Sequence, residues 1–253
     1  LFYIFSVSTV IWGAITGNYF GIAQEKLPLF LKNLRVGYLT SQDPQIAQAN
    51  GMTFCLLIGA IHLSVAHLWN AFKIRNSTMA IAQLGWICVT WGMFLLSRYL
   101  LLEATCSPLW IALPACGLLA VILFKTPFKK LKEEWIGHAL LLQDVIANFG
   151  DLVSYLRLFA LGIAGVKVAE AFNEMAGMIG YDNVGKIIGA VAVMIFGHTL
   201  NLVLCGVSVL VHGVRLNALE FSMHMGQEWS GFEYRPFLKS NKLVLAQESE
   251  NTN

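Results

Sequence analysis

Six apolar stretches, each on the scale of a bilayer crossing, leave this chain few structures to choose from. They run over about 1–21, 50–72, 78–99, 108–124, 135–176 and 187–222, and the fourth is the shortest. Hydrocarbon offers a backbone no hydrogen-bond partner, so a spanning segment must satisfy its own N–H and C=O groups as a helix or join a closed barrel. About 20 apolar residues rising 1.5 Å each cross the roughly 30 Å core as a helix. Composition agrees: 57% of the 253 residues are hydrophobic and only 13% are charged, where a soluble domain carries about a quarter. The expected fold class is all-α, a polytopic membrane helix bundle. The net charge of +2 gives no nucleic-acid footprint.

Local signals place the boundaries. Ser77 suits the cap of the third stretch, Ser107 followed by Pro108 starts the fourth, and Asp182 or Asn183 begins the last. Pro114 predicts a kink, because it removes a backbone donor within the fourth stretch. The last two stretches are longer than a perpendicular crossing requires, at roughly 63 and 54 Å as helices. They are expected to lean strongly or to project into water. The organisation expected is four membrane helices over 1–125, a basic cytoplasmic connection over 126–134, two long helices over 135–222 and a cytoplasmic tail over 223–253.

Six crossings put both ends on one side. That side carries nine basic residues, Lys73, Arg75, Lys125, Lys129, Lys130, Lys132, Arg235, Lys239 and Lys242. The other carries five, Lys26, Lys32, Arg35, Arg98 and Lys186. The positive-inside rule therefore sets the C-terminus in the cytoplasm. The first stretch opens on Leu1 without a basic flank or a small-residue cleavage site, and reads as a chain entered in its middle rather than a signal peptide. The five cysteines form no C-x-x-C pattern and read as packing residues. Neither a metal site nor a cofactor is expected.

Two arginines interrupt the last two stretches, Arg157 in SYLRLF and Arg215 in HGVRLNALEF. A guanidinium at bilayer depth must be paired, face a water-filled path, or cost several kcal/mol. On the last stretch His198, Asn201, Cys205, Ser208, His212 and Arg215 recur at steps of 3, 4, 3, 4 and 3. At about 100° per residue these form one polar stripe roughly 25 Å long. A polar seam between helices is the competing account, strongest for His198 or Ser208 taken singly. On the fifth stretch Asn148, Asp151, Ser154 and Arg157 step by three and wind into a broad polar face. Asp151 lies about 9 Å along the axis from Arg157, badly placed for a direct pair. Gly162 and Gly165 suit the close approach of another helix, and Lys167, Glu170 and Glu174 are expected to reach water.

An arginine suits ion transfer through a carboxylate carrier. It stays protonated and does not itself carry the transported proton. Its field favours the ionised form of a nearby carboxylic acid, which drives release of the carried ion. By the same logic, an arginine locked to a fixed carboxylate is poorly prepared to meet a moving one.

At SYLRLFALGI the chain resembles the membrane domain of the a/I subunit of rotary V-type and archaeal or bacterial V/A-type ATPases. The resemblance continues through VLVHGVRLNALEF and GFEYRPF and includes IWGAITGNYFG near the start. In that family a cytoplasmic half precedes eight membrane helices, and the resemblance implies that this chain holds the last six. It implies that Arg157 faces a proteolipid ring bearing ion-binding carboxylates, that Arg215 is the second arginine, and that Glu220 and His212 match the positions around it. Cys205 stands where eukaryotic members place a glutamate, and Gly165 where they place a histidine. Ser208, Asn201 and His198 are then alternative carriers of those polar functions. SYLRLFALG, rather than a SYLRLWALS-like form, implies a bacterial or archaeal cytoplasmic membrane.

The expected function is a membrane stator subunit that passes protons or sodium through half-paths beside a rotating ring. Peripheral-stalk and central-stalk subunits are the other expected partners. No G-x-x-x-x-G-K-[ST] loop is present in the chain, so ATP chemistry is expected on other subunits. A secondary transporter or channel and a noncatalytic scaffold with lipid-binding arginines are the rival readings.

Overall fold

The computed structural model describes residues 2–22, 27–41, 43–102, 108–124 and 140–227. These residues are all-α. The helices are α1 (Phe2–Thr16), the short α2 (Leu29–Leu34), α3 (Pro44–Lys73), α4 (Met79–Leu102), α5 (Leu109–Phe124), α6 (Leu141–Val153), α7 (Leu156–Ile179) and α8 (Val184–Ser208). Beyond α8 the chain keeps coiling through two π-helical stretches, Val209–Gly213 and Leu216–Phe221, and a last turn, Ser222–His224.

Among the described residues four helical runs are long and apolar enough to cross a membrane: Pro44–Lys73, Met79–Leu102, Leu141–Ile179 and Val184–His224. The first and fourth expected crossings are shorter apolar helices. The first stops at Thr16 rather than near residue 21, because Gly17 turns left-handed at φ +64°. Helix α3 starts six residues early. Asp43 caps it by accepting from the Gln45 N–H at 2.9 Å, and Pro44 occupies the first turn, where a missing N–H costs nothing. Asn183 caps α8 by accepting from the Lys186 N–H, and Ser77 accepts from the Met79 N–H at the start of α4. The expected cap Ser107, the basic connection 126–134 and the tail from 228 onward lie outside the described residues.

Helices α3, α4 and α5 pack in sequence, and α6 lies against α3 and α4. Helices α7 and α8 form a separate antiparallel pair, tied back to α3 through α7 and through the end of the last run. Small residues make these approaches possible. Pro114, inside α5, rests on Gly92 of α4, and the Phe172 ring of α7 rests on Gly197 of α8. In a bilayer, where lipid tails are as apolar as leucine, such contact gives association its van der Waals gain.

The core collects Leu56, Ala60 and Leu63 from α3, Val89, Met93 and Phe94 from α4, Leu152 and Tyr155 around the α6–α7 junction, and Leu216 from the last run. The spacing of the α3 set at four and three residues puts it on one face. The pair α7–α8 buries less of itself than α3 and α4 do. Ile195, Phe196, Leu202, Val203, Val207 and Leu210 all point away from the chain.

Candidate functional site

Arg157 is positioned by a break in the fifth apolar stretch. Ser154 Oγ donates to the Gly150 carbonyl at 2.9 Å, a back-bond that competes with the helical ladder. The following turn tightens: the N–H groups of Tyr155, Arg157 and Leu158 donate three residues back, to Leu152, Ser154 and Tyr155. Arg157 Nε then donates to the Ser154 carbonyl at 3.1 Å, so the break both orients and partly satisfies the guanidinium. Its Nη2 donates to Glu220 Oε1 at 2.9 Å.

That ion pair corrects the expectation of an arginine without a fixed carboxylate. Glu220 comes from the last run, not from α6, and its side chain is 4% exposed against 27% for Arg157. Arg215 Nε lies 3.7 Å from the same Oε1 and is 54% exposed. Five residues separate Arg215 from Glu220, a spacing that a regular α-helix turns away from itself. The π-helical winding of Leu216–Phe221, with its i→i+5 hydrogen bonds, widens the turn beyond that of an α-helix and brings the two toward one side. One carboxylate thus answers two guanidiniums, and among the described residues the cluster retains one uncompensated positive charge. Glu220 Oε2 is buried and has no hydrogen-bond partner among the described residues.

The stripe divides. His198, Asn201, Cys205, Ser208 and His212 are each half-buried while most of their neighbours in sequence are exposed, so the stripe faces the protein. Its α8 members form a seam with α7. His198 Nε2 lies 3.0 Å from Asn173 Oδ1, Asn201 Nδ2 donates to the Gly165 carbonyl at 2.9 Å, and Cys205 Sγ lies 3.5 Å from Asn201 Oδ1. Gly165 makes this approach possible, since a Cβ there would meet Cys205 Sγ at 3.0 Å. Gly162 faces open space and plays no such part. His212, in the first π-helical stretch, keeps a buried Nδ1 without a partner among the described residues. Lys167 pairs with Glu170 at 2.7 Å on an exposed surface.

The winding polar face of α6 is spread over three neighbours. Asn148 is buried and donates to Thr90 Oγ1 of α4 at 3.2 Å. Asp151 does not approach Arg157; its Oδ2 lies 2.9 Å from His224 Nε2. Next to the junction, Tyr155 Oη lies 2.7 Å from His62 Nδ1, and the His62 ring stacks on Phe221 at 4.2 Å. His62, His67, Gln83 and His224 were absent from the sequence-derived candidates. Their signal was weak: single polar side chains scattered through apolar helices, with none of the regular spacing that exposed the stripe. Among the described residues no cluster of His, Cys, Asp and Glu could hold a metal ion.

Comparison with known proteins sets this geometry in context. The chain is 37% identical over 256 residues to the V-type ATP synthase subunit I of Borreliella burgdorferi, covering 96% of this chain and 41% of that protein. It is 31% identical over 268 residues to the A-type ATP synthase subunit I of Methanocaldococcus jannaschii, covering 95% and 38%. It is 30% identical over 237 residues to the V-type ATP synthase subunit I 1 of Treponema pallidum, covering 90% and 38%. The chain spans about two fifths of the length of these curated relatives. No family model matches the chain, and no solved structure matches it. Over nearly its whole length, the chain is homologous to subunit I of the V-type and A-type ATP synthases.

Proposed function

We propose that the chain is the membrane stator part of a rotary ATPase or ATP synthase and passes ions between two half-paths beside a ring of carboxylate-bearing subunits. The observation that carries this reading is the charge cluster at Arg157. It stands about 24 Å from the Leu141 end of a helical run roughly 58 Å long, far from either end. It retains one positive charge, and Arg157 is more than a quarter exposed. A ring carboxylate arriving there would neutralise the cluster, and the guanidinium field would hold that carboxylate ionised until it moved on.

The fixed partner Glu220 fits this cycle as a resting counter-ion. Arg157 exchanges its Nη2 hydrogen bond between Glu220 and the visiting carboxylate, while Arg215 stays within reach of Glu220 and keeps it from being stranded as a buried charge. The uncovered face of α7–α8 is the surface on which a ring would ride. His212, Ser208, Cys205, Asn201 and His198 belong to a half-path in this reading, with the α8 members fixing its wall to α7. ATP chemistry falls to other subunits, and peripheral-stalk and central-stalk subunits are the other partners in this reading.

Arg157→Ala tests the reading. In vesicles holding equal amounts of assembled complex, the variant should lose ATP-driven ion uptake essentially completely, and Arg157→Lys should keep a fraction at most, since it holds the charge but not the rigid fork. Normal coupled uptake by Arg157→Ala would overturn it.

A further inference from the structure

Arg157 and Glu220 stand on different elements, and residues beside each of them meet on a third. Tyr155, two residues before Arg157, shares a hydrogen bond of 2.7 Å between its Oη and Nδ1 of His62 in α3. Phe221, the residue after Glu220, stacks on that same imidazole, with centroids 4.2 Å apart and planes 9° from parallel. The Tyr155 ring stands edge-on to the imidazole at 6.0 Å. We propose that His62 is the positioning residue of the Arg157–Glu220 pair. One imidazole clamps the α6–α7 junction and the last run at the separation that lets the guanidinium reach the carboxylate; the consequence for transport rests on the rotary reading above.

An imidazole suits both grips. Its flat face offers a stacking surface, and its ring nitrogen, in the plane, offers a hydrogen-bond partner to a hydroxyl. Phenylalanine supplies only the first and asparagine only the second. The Tyr155 side of the clamp is tightly built. Tyr155 is 2% exposed, and its ring lies so close to Gly59 that a Cβ added there would stand 2.8 Å from it. Gly59 precedes His62 by three residues, so both address the tyrosine from one face of α3. From Pro44 through Phe72 that helix carries no Asp, Glu, Lys or Arg. It brings no permanent charge to the ion pair and acts on it by placement.

Neither charge is fixed by an unbroken α-helix. Arg157 sits in the first turn of α7, just past the break at Ser154 and Tyr155, and Glu220 sits in the π-helical stretch Leu216–Phe221. Three residues beyond Phe221, Asn70 Nδ2 of α3 donates to the His224 carbonyl at 2.7 Å and ties the end of the last run to that helix. The His62 imidazole ties the run to the α6–α7 junction as well, directly beside the charges. Where groups must meet in one geometry, a misplacement of about 1 Å can cost about a hundredfold in rate.

The test uses the assembled complex in vesicles, with uptake followed by an internal pH dye and by radioactive sodium. Uptake is read per ATP hydrolysed, a ratio that a smaller amount of assembled protein leaves unchanged. His62→Ala removes both grips and should lower the ratio about tenfold or more. His62→Asn keeps a partner for the Tyr155 hydroxyl and His62→Phe keeps the stack on Phe221, so each should restore part of it. Tyr155→Phe should lower the ratio by itself and add nothing to His62→Phe, where the hydrogen bond is already gone. A wild-type ratio in His62→Ala, or an undiminished effect of Tyr155→Phe on top of His62→Phe, would overturn the clamp. If His62→Ala fails to assemble, wild-type ratios in both the Asn and Phe variants would overturn it. Electron microscopy of the most impaired His62 variant that assembles should show Arg157 Nη2 and Glu220 Oε1 parted beyond hydrogen-bond reach; if they stay together, the clamp fails whatever the transport. Arg157→Ala separates the two ideas: if it transports normally, the rotary reading fails and the Arg157–Glu220 separation alone decides the clamp.

Discussion

A carboxylate with 4% of its side chain exposed, 2.9 Å from one guanidinium and 3.7 Å from another, carries less charge than the groups it answers. Two unit charges about 4 Å apart interact by about 4 kcal/mol at an effective dielectric of 20, so the state of Glu220 governs how strongly Arg157 attracts anything else. Glu220→Gln keeps an acceptor for Arg157 but removes the charge, leaving two arginines to hold a visiting carboxylate. The expected result is complex that assembles normally and moves ions at least tenfold more slowly, read as ATP-driven uptake per assembled complex. Glu220→Ala should also reduce the amount assembled, because it strands both guanidiniums. Normal uptake in Glu220→Gln would remove its charge from the cycle. The arginines were legible in the sequence, since a permanent charge in an apolar run has few explanations. Their shared partner was not, because the pairing depends on π-helical winding that no side-chain spacing announces.

Between elements, the reliable part of the sequence was periodicity. The stripe from His198 to His212 faces protein as its spacing implied, and the broad face of α6 does spread over several neighbours. What periodicity could not give was the partner: Asn201 and Cys205 meet Gly165, and Asp151 meets a histidine 73 residues later. The ends of elements were also missed where single residues decide them, as Gly17 does by its left-handed turn after α1 and Asp43 by its cap before α3. The α7–α8 seam makes two predictions. Gly197→Leu drives a side chain into the Phe172 ring and should lower the thermal midpoint of the detergent-solubilised protein by several degrees, since overpacking costs about 1–3 kcal/mol. Gly206→Leu, with nothing within 4 Å of its added Cβ, should leave that midpoint within a degree or so. Equal shifts would mean that the two helices do not meet along this face. In a background with the other native cysteines replaced, Gly165→Cys should form a disulfide with Cys205 on mild oxidation, seen as resistance of the pair to maleimide labelling. Gly162→Cys should stay free, because its face is open.

For the molecule as a whole, orientation follows from which ends share a side. The end of α3, the start of α4, the end of α5, the start of α6 and the turn at His224 lie on one side if each apolar run crosses once. The turn between α7 and α8 lies on the other. The first side holds Lys73 and Arg75 within the described residues and, by the crossing count, nine connecting basic residues in the sequence against five on the other side, which predicts that it is cytoplasmic. Tyr181 is 55% exposed in the α7–α8 turn, and Arg75 is exposed in the loop after α3, so both positions accept a reporter with little disturbance. With the native cysteines replaced, an impermeant thiol reagent added to intact cells should label Tyr181→Cys and spare Arg75→Cys. Permeabilised cells should label both. The reverse pattern in intact cells would invert the molecule. Labelling of both in intact cells would mean that the short helix between the two sites, α5, fails to cross. Because α5 lies between α4 and α6, its failure alone would carry α6–α8 to the opposite side from the one their charges favour, and so the two-site experiment tests the short helix as well as the long ones.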